Sequence, residues 1–266
     1  MGLSTARGRP PSSREGAREP DEVIWHDLEC GGYRADLALW EGLAAQMDPQ
    51  PGAAAILDIG AGSGRVALHL ARRGHRVTAV DLSPALLEAL AGRAGELPVQ
   101  TVCADARDLS LPRRDHALCL VPMQTLQLLG GAAGRARFLA RARAHLAPGG
   151  LLASAIVTDI EPFDCTAGDP APSAEVAEVD GRRYASRAVF VRLQDEQIVI
   201  GRERTVSPAG RRGSIATPEL NVIRLDRLNA TMLEREGLRA GLQAVDVREI
   251  PPTEDHVGSL VVLLGA

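Results

Sequence analysis

The segment from residue 56 to residue 81 constrains the fold of this chain more than any other part of the sequence. Residues 56–65 read Ile-Leu-Asp-Ile-Gly-Ala-Gly-Ser-Gly-Arg, so an apolar run ends at closely spaced glycines. An amphipathic stretch follows, and a second apolar run ends on Asp81. This order predicts a strand, a glycine-rich turn, a helix and a second strand. Such a unit is typical of α/β folds that bind a nucleoside cofactor at the turn.

The glycine spacing distinguishes between two kinds of nucleoside cofactor. Glycines stand at positions 60, 62 and 64, which gives the pattern G-x-G-x-G. A dinucleotide fingerprint has G-x-G-x-x-G, because its third glycine lets helix and strand pack closely. Arg65 stands at that third place. An NAD-dependent oxidoreductase is therefore disfavoured. The remaining alternative is a turn that is rich in glycine for structural reasons alone and binds no cofactor.

The shorter spacing resembles the first motif of class I S-adenosyl-L-methionine (SAM) dependent methyltransferases of the small-molecule type. The resemblance implies SAM as the cofactor and S-adenosyl-L-homocysteine (SAH) as its product. It also implies that Gly60, Ala61 and Gly62 approach the methionine and ribose parts of SAM. Asp58, at the end of the first strand, would fix the loop or reach the ammonium group of the cofactor.

Asp81 is the predicted ribose ligand. It follows Gly60 by about 20 residues, where an acidic residue meets ribose hydroxyls in nucleoside-binding α/β folds. The alternative role is to cap the next helix, but Ser83 followed by Pro84 suits the cap better. We therefore expect Asp81 to be free for ligand, with Leu82 beside it at the cofactor.

A third strand, starting at Val99, also runs into an acidic residue. It leads to Asp105, which is followed by the small residue Ala106. The resemblance assigns this place to adenine: the carboxylate accepts from the exocyclic amine, and the next backbone N–H binds a ring nitrogen. An acidic residue after a strand is common by chance, but three such strand ends in order indicate one pocket.

The fourth predicted strand, 117–121, ends at Val121, which we also assign to the cofactor pocket. The following Pro-Met-Gln-Thr-Leu-Gln is similar to the segment that lines the methyl-transfer site in the small-molecule type. Met123 and Gln124 stand where that type usually has Phe and Asn. We predict that both residues contact the substrate.

The remaining apolar runs complete a seven-stranded sheet. Residues 151–157, 243–250 and 259–264 are the predicted fifth, sixth and seventh strands. The resemblance implies that the seventh strand runs antiparallel to the others. We therefore predict an α/β, Rossmann-like sheet of six parallel strands and one antiparallel strand, with helices on both faces.

The segment between the fifth and sixth strands is expected to form a small antiparallel β insertion. Its alternating stretches are residues 184–193, 198–206 and 221–225, whereas residues 160–182 read as a loop. The insertion, about 160–226, would cap the substrate. Insertions at this place in related enzymes also carry dimer contacts, so a homodimer stays open. We predict a disordered tail over residues 1–20 and a methyltransferase domain over residues 21–266.

The hairpin between the last two strands provides the catalytic candidate. It lies at the carboxyl edge of the sheet, where ligands of open α/β sheets bind, and it carries Glu254, Asp255 and His256. We assign His256 as general base, because imidazole titrates near neutrality, and Glu254 as a substrate contact. A structural hydrogen bond is the alternative role of His256, and His26 is the reserve base.

The segment from residue 29 to Trp40 resembles the N-terminal cover of bacterial small-molecule methyltransferases, in which a helix closes the cofactor pocket. That resemblance implies that Tyr33 contacts SAM or substrate. Tyr33 and Trp40 could equally be anchors of the core. For Trp40 we expect the core role, and for Tyr33 the two roles stay open.

Composition excludes several other functions. All thirty basic residues are arginine, so a pyridoxal phosphate Schiff base and a phosphate-loop lysine are both impossible. The net charge of −4 and the aromatic content of 3% argue against a nucleic-acid substrate. The arginines at 135, 137, 141 and 143 suit a solvated helix face.

The four cysteines have no metal-ligand spacing, so we predict no metal, and Cys103 and Cys119 are expected in the core of strands. No run approaches 18 apolar residues, and the N-terminus has no apolar signal core, which predicts a soluble cytoplasmic protein without membrane contact.

We interpret the sequence as that of a methyltransferase that transfers a methyl group from SAM to nitrogen or oxygen of a small molecule, hypothetically a specialised metabolite. A second interpretation is an enzyme of the same fold that uses SAM in another reaction. A third is a SAM-binding subunit without catalytic activity.

Overall fold

A computed structural model describes residues 20–210, 217–254 and 256–266. Its strands are β1 (Ala55–Ile59), β2 (Arg76–Asp81), β3 (Val99–Cys103), β4 (His116–Val121), β5 (Leu146–Ile156), β6 (Phe163–Asp164), β7 (Glu175–Val179), β8 (Arg182–Leu193), β9 (Gln197–Pro208), β10 (Glu219–Asp226), β11 (Gln243–Ile250) and β12 (Ser259–Gly265). Its α-helices are α1 (Asp21–His26), α2 (Leu37–Met47), α3 (Arg65–Ala71), α4 (Pro84–Ala94), α5 (Gly131–His145) and α6 (Ala230–Arg239). A π-helical turn, Asp27–Gly31, continues α1. Most of the predicted tail, and Asp255 of the last hairpin, lie outside the described residues.

The main sheet has seven strands in the order β11-β12-β5-β4-β1-β2-β3. Strand β12 pairs antiparallel with both β11 and β5, and the other neighbours run parallel. The predicted fold class is therefore confirmed. A short hairpin joins β11 to β12 and reverses the chain, whereas β1 to β5 are joined by crossovers that keep the strands parallel.

Helices cover both faces of this sheet. Trp40 and Leu43 of α2 pack with α3 and α4 on one face. Phe138 and Leu139 of α5 pack with α6 on the other. Strand β1 is buried along its whole length, as expected for a central parallel strand between two helical layers. The carboxyl ends of the parallel strands therefore meet at one edge.

The insertion forms a second, five-stranded antiparallel sheet in the order β10-β9-β8-β6, with β7 also paired to β8. The three predicted strands are confirmed, but the prediction of a loop over 160–182 was wrong because that stretch contains β6 and β7. A turn at Asp180 and Gly181, both with positive φ, joins β7 to β8. Asp-Gly is a strong hairpin signal that the sequence interpretation did not use.

Two predictions about side-chain environment were wrong. Arg135 is buried between Asp226 and Glu236, whereas the other three arginines of α5 are exposed or half-buried. Cys103 is exposed because β3 is the edge strand of the sheet, while Cys119 in β4 is buried as expected. Among the described helices, none combines the length and the apolar content that crossing a bilayer requires.

Candidate cofactor and active site

The glycine turn follows β1 at the carboxyl edge of the sheet. Gly60, Gly62 and Gly64 all have positive φ, between 55° and 101°. A Cβ atom at Gly60 would lie 2.5 Å from Thr125 Cγ2, and one at Gly62 would lie 2.3 Å from His26 Nε2. Side chains of the protein itself therefore pack on the turn, which is an additional reason for glycine beyond the approach of a ligand.

Asp81 lies at the end of β2 and shapes the same turn. Its carboxylate accepts one hydrogen bond from the Gly62 N–H and one from the Ser83 N–H, each at 2.9 Å. Ser83 caps α4 through the Leu86 N–H, as predicted. The expectation of a free Asp81 was wrong, yet each oxygen keeps one lone pair, since a carboxylate oxygen accepts two hydrogen bonds.

Leu82, next to Asp81, is 65% exposed. An apolar side chain with this exposure offers a flat ligand a surface to cover, and the role of Leu82 at the cofactor stays a prediction. Val121 and Ala106 are buried at the ends of the neighbouring chain segments. Ala61 is buried beneath the turn and donates its N–H to the Val80 carbonyl.

Asp58 lies beneath the glycine turn and is completely buried. Neither of its carboxylate oxygens makes a hydrogen bond to the described residues. Burial raises the pKa of Asp58 to about 7; the nearby charge of Arg65 opposes this rise and that of Asp81 adds to it. Asp58 is thus a buried carboxyl group without a hydrogen bond to the described residues, and it lies directly before the glycine turn in the chain.

Asp105, the predicted adenine ligand, already has a strong ion pair. Its oxygens accept from the Arg107 guanidinium at 2.6–3.0 Å and from the Arg107 N–H at 2.8 Å. The Arg107 side chain lowers the pKa of Asp105. An amine of a ligand would therefore have to share this carboxylate with Arg107.

The cover segment, which we define as residues 21–31, is fastened to the glycine turn. Asp27 accepts from Ser63 Oγ at 2.5 Å and from Arg93 of α4 at 2.6 Å. His26 Nδ1 lies 3.2 Å from Ser63 Oγ. The sequence interpretation named His26 only as a reserve base, and it did not identify Asp27 or Ser63.

Glu29 fastens the cover segment to the second sheet. Its carboxylate accepts from Arg204 at 2.6 and 2.8 Å and from the Ser186 hydroxyl at 2.6 Å. Burial alone would raise the pKa of Glu29, but the hydrogen bonds from Arg204 and Ser186 lower it below its usual range. The cover segment thus bridges the two sheets.

Arg65 explains the departure from the dinucleotide fingerprint. Its guanidinium binds the buried Asp36 through two hydrogen bonds, of 2.5 and 2.7 Å, and donates to the Tyr33 carbonyl at 3.0 Å. Trp40, a core residue as predicted, donates its indole N–H to Asp36. Arg65 therefore holds the chain that carries Tyr33.

Tyr33 and His256 come together at the site. Their ring centroids are 4.8 Å apart. The Tyr33 hydroxyl is buried without a hydrogen bond to the described residues, and burial raises its pKa, with Asp36 adding to the rise. His256 is half-buried, whereas Glu254 is exposed. The final hairpin thus meets the loop that carries Tyr33.

Glu175 of β7 is a neighbour of His256 that the sequence interpretation missed. Burial raises the pKa of Glu175, and the charges of Arg202 and His256 oppose the rise. Arg202 also forms an ion pair with Glu175. Because β7 was read as loop, nothing in the sequence interpretation placed this carboxylate near the catalytic candidate.

The segment after β4 has an unusual backbone. Met123 adopts φ of 55°, which side-chain-bearing residues rarely do and which is enriched at functional sites. Gln124 is half-buried next to it. Thr125 donates to the Pro122 carbonyl, and its side chain packs on Gly60. The predicted substrate contacts therefore lie on a constrained loop beside the glycine turn.

A separate cavity of about 750 Å³ lies between the start of α5, the end of β5 and the second sheet. Its lining includes Gly131, Arg135, Thr158 and Asp226, and none of the predicted site residues. Asp226 inside it is already bound by Arg135 and by the Gly131 N–H. This cavity is thus distinct from the cleft at the glycine turn.

These residues fit an adenosine cofactor with an unphosphorylated ribose. Asp81 retains one lone pair on each oxygen, which matches two adjacent hydroxyls, and its charge would repel a 2′-phosphate. Leu82 provides exposed apolar surface. Arg65, which is paired with Asp36, stands at the place of the third glycine in the dinucleotide fingerprint.

Comparison with known proteins assigns the segment that carries this site. Residues 56–150 match the family model described as "Methyltransferase domain". This match spans β1 to β5 and includes the glycine turn, Asp81 and Asp105.

Residues 56–150 resemble a methyltransferase domain.

Solved structures extend the likeness to nearly the whole chain. The sugar N-methyltransferase KedS8 from Streptoalloteichus is 18% identical, with a TM-score of 0.66 over 97% of this chain and 98% of that chain. CalS10, an amino pentose methyltransferase from Micromonospora echinaspora, is 18% identical, with a TM-score of 0.65 over 94% and 99%. DesVI from Streptomyces venezuelae is 20% identical, with a TM-score of 0.64 over 92% and 98%. At these identities the likeness shows a shared fold, that of class I methyltransferases.

One curated relative has a shorter match. The probable ribosomal RNA small subunit methyltransferase A of Methanosarcina acetivorans is 36% identical over 81 residues. The match covers 30% of this chain and 29% of the relative. The likeness to this protein therefore concerns less than a third of either chain and not the whole molecule.

Proposed function

We propose that this protein transfers a methyl group from SAM to nitrogen or oxygen of a small molecule. The observation that carries the proposal is the arrangement at the glycine turn, where Asp81 shapes the loop and keeps lone pairs for a ribose. The cover segment and the second sheet enclose the same edge. The named activities of KedS8 and CalS10 make an amino sugar the first acceptor to test.

When bound, SAM supplies a methyl group on a positively charged sulfur that leaves readily. The protein has to hold the acceptor in line with that methyl group, at about 3–3.5 Å, and such orientation can contribute roughly 7–11 kcal/mol. Tyr33 and Met123 shape the cleft, and the cover segment excludes water from it. His256, beside Tyr33, removes the proton of the acceptor.

The charge of the second sheet favours a small acceptor over RNA, although one relative has a name that refers to ribosomal RNA. Several arginines of this sheet are paired with carboxylates, which neutralise them locally. The pairs are Arg187–Glu203, Arg192–Asp164, Arg202–Glu175 and Arg204–Glu29. A nucleic-acid surface needs arginines that remain available to phosphates.

A thermal-shift titration with SAH, run beside NAD, tests the cofactor. A ligand at 100 times its dissociation constant stabilises a protein by about 2.7 kcal/mol, which is readily visible. We expect a shift with SAH and none with NAD. A shift with NAD alone, or with neither ligand in folded protein, would contradict the proposal. Product analysis with an amino sugar then separates methyl transfer from another SAM reaction or a non-catalytic role.

His256→Phe tests the proposed base. The variant keeps a ring against Tyr33 but removes both nitrogen atoms. We expect turnover of the identified acceptor at neutral pH to fall about 10²–10⁴-fold, the usual contribution of a general base, while SAH affinity is unchanged. Steady-state rates from pH 6 to 9, with calorimetric SAH binding, check both parts. If the variant turns over the acceptor at the wild-type rate across that pH range, His256 is not the general base.

A further inference from the structure

His26 lies directly on the glycine turn. A Cβ atom at Gly62 would be 2.3 Å from its Nε2 atom and 2.5 Å from its Cε1 atom. The imidazole thus packs against the backbone of Gly62, where a side chain would clash with it. The side chain is still 25% exposed, so the ring is accessible although it packs on the turn.

The hydrogen bonds of Ser63 determine which nitrogen of His26 carries the proton. Ser63 has one hydroxyl proton and donates it to Asp27 at 2.5 Å. Burial alone would raise the pKa of Asp27, but hydrogen bonds from His26, Arg93 and Ser63 hold it well below its usual range, so this carboxylate only accepts. His26 Nδ1 then carries a proton, which faces Ser63 Oγ at 3.2 Å and Asp27 Oδ1 at 3.6 Å.

The neutral ring therefore presents a lone pair at Nε2. This atom makes no hydrogen bond to any of the described residues. An acceptor at this point suits a ligand donor that lies over the glycine turn. Asp81 is the proposed partner of the ribose hydroxyls, so the imidazole of His26 is not needed to bind them.

The two carboxylates nearest the glycine turn are poor candidates to bind the ammonium group of a methionine moiety. The sequence interpretation offered Asp58, but that carboxylate is completely buried beneath the turn. Asp27 is engaged with Ser63 and Arg93. Among the described residues at the turn, His26 offers at Nε2 an acceptor that makes no hydrogen bond.

We propose that His26 binds the α-ammonium group of the cofactor's methionine moiety through Nε2, with Nδ1 anchored to Ser63. This inference rests on the proposed function and adds a specificity-determining residue to it. The interaction distinguishes SAM and SAH from adenosine compounds without an amino-acid part.

Calorimetric binding of SAH and of 5′-methylthioadenosine, which lacks the amino-acid part, tests the proposal. We expect His26→Phe to weaken SAH binding about 10- to 100-fold, as for a lost hydrogen bond to a charged group, and to leave 5′-methylthioadenosine unchanged. His26→Gln, whose amide oxygen accepts, should recover part of the SAH affinity. His69→Phe is the matched control, because His69 bonds Glu41 on α2, away from the turn.

Equal losses for both ligands in His26→Phe would show that His26 only fastens the cover segment, and would overturn the proposal. Unchanged binding of both ligands would overturn it as well. If His26→Phe does not fold, the ratio of the two affinities in His26→Ala gives the same comparison within one protein. Wild-type protein that binds neither SAH nor 5′-methylthioadenosine would instead contradict the proposed function.

Discussion

The buried carboxylate of Asp58 is a residue at which the stability of the fold depends on pH. Its pKa rises from 3.8 to about 7 on folding, chiefly because it is buried. The folded protein therefore holds a proton that the unfolded chain releases between these two values. The contribution of Asp58 to the free energy of unfolding is largest at low pH, and it falls as the pH rises from 3.8 to about 7.

Asp58→Asn should remove this dependence, because an amide has the same shape and stays neutral. We expect the stability advantage of the variant over the wild type to grow by roughly 2–3 kcal/mol between pH 5 and pH 8, because most of the interval from 3.8 to about 7 lies in this range. Urea unfolding at pH 5, 6, 7 and 8 measures it. Asp108→Asn, at an exposed site, serves as control. An equal difference at every pH would show that Asp58 is charged throughout.

At the scale of elements, the cover segment is held from two sides. Asp27 binds Ser63 and Arg93 of the main domain, and Glu29 binds Ser186 and Arg204 of the second sheet. Its last turn is π-helical, a geometry that occurs frequently at functional sites. We expect a cofactor under this segment to leave only when these ion pairs open.

Arg204→Ala should loosen the cover segment without touching the glycine turn. Removal of both bonds to the buried Glu29 is expected to speed SAH dissociation about 10-fold, as for the loss of a strong charged hydrogen bond. Stopped-flow displacement measures the rate, and hydrogen exchange over residues 21–31 should rise with it. Arg187→Ala removes an exposed pair on the same sheet and should alter neither. Identical dissociation rates in both variants would argue that the cover does not gate release.

At the scale of the whole molecule, buried polar contacts join the two sheets. Arg135 of α5 binds Asp226 at the end of β10 and Glu236 of α6, at 2.6 and 2.8 Å. The Gln127 amide bonds both Val157 and the Asp226 carbonyl. These contacts fix the position of the insertion relative to the carboxyl edge where the site lies.

Arg135→Ala should destabilise the protein by about 3–5 kcal/mol, because it leaves two carboxylates buried without their cation. Arg137→Ala, at an exposed pair on the same helix, should change stability by less than about 1 kcal/mol. Urea unfolding compares the two. Asp226→Asn and Glu236→Gln added to Arg135→Ala should restore much of the loss. Similar small effects of both arginine variants would show that the buried pair contributes no more than a surface one.

The sequence by itself determined the main sheet and the cofactor edge. Apolar runs that end in glycine or aspartate report strand ends directly, so Gly60, Asp81 and the last two strands could be located from local pattern alone. The fold class follows because parallel strands of this kind place their carboxyl ends at one edge. The cap that Ser83 forms on α4 is likewise predictable from local sequence, because its partner, the Leu86 N–H, is only three residues away.

Only the tertiary structure decided which side chains lie near the glycine turn and which of them are already engaged in hydrogen bonds or ion pairs. His26, Glu29 and Glu175 come from segments distant in sequence, and their roles depend on partners such as Ser63 and Arg204. Arg135 has the helical spacing of a solvated face, but α6 and β10 bury it. Local periodicity records whether a residue can be buried, whereas the contacts that bury or pair it are long-range and leave no local pattern.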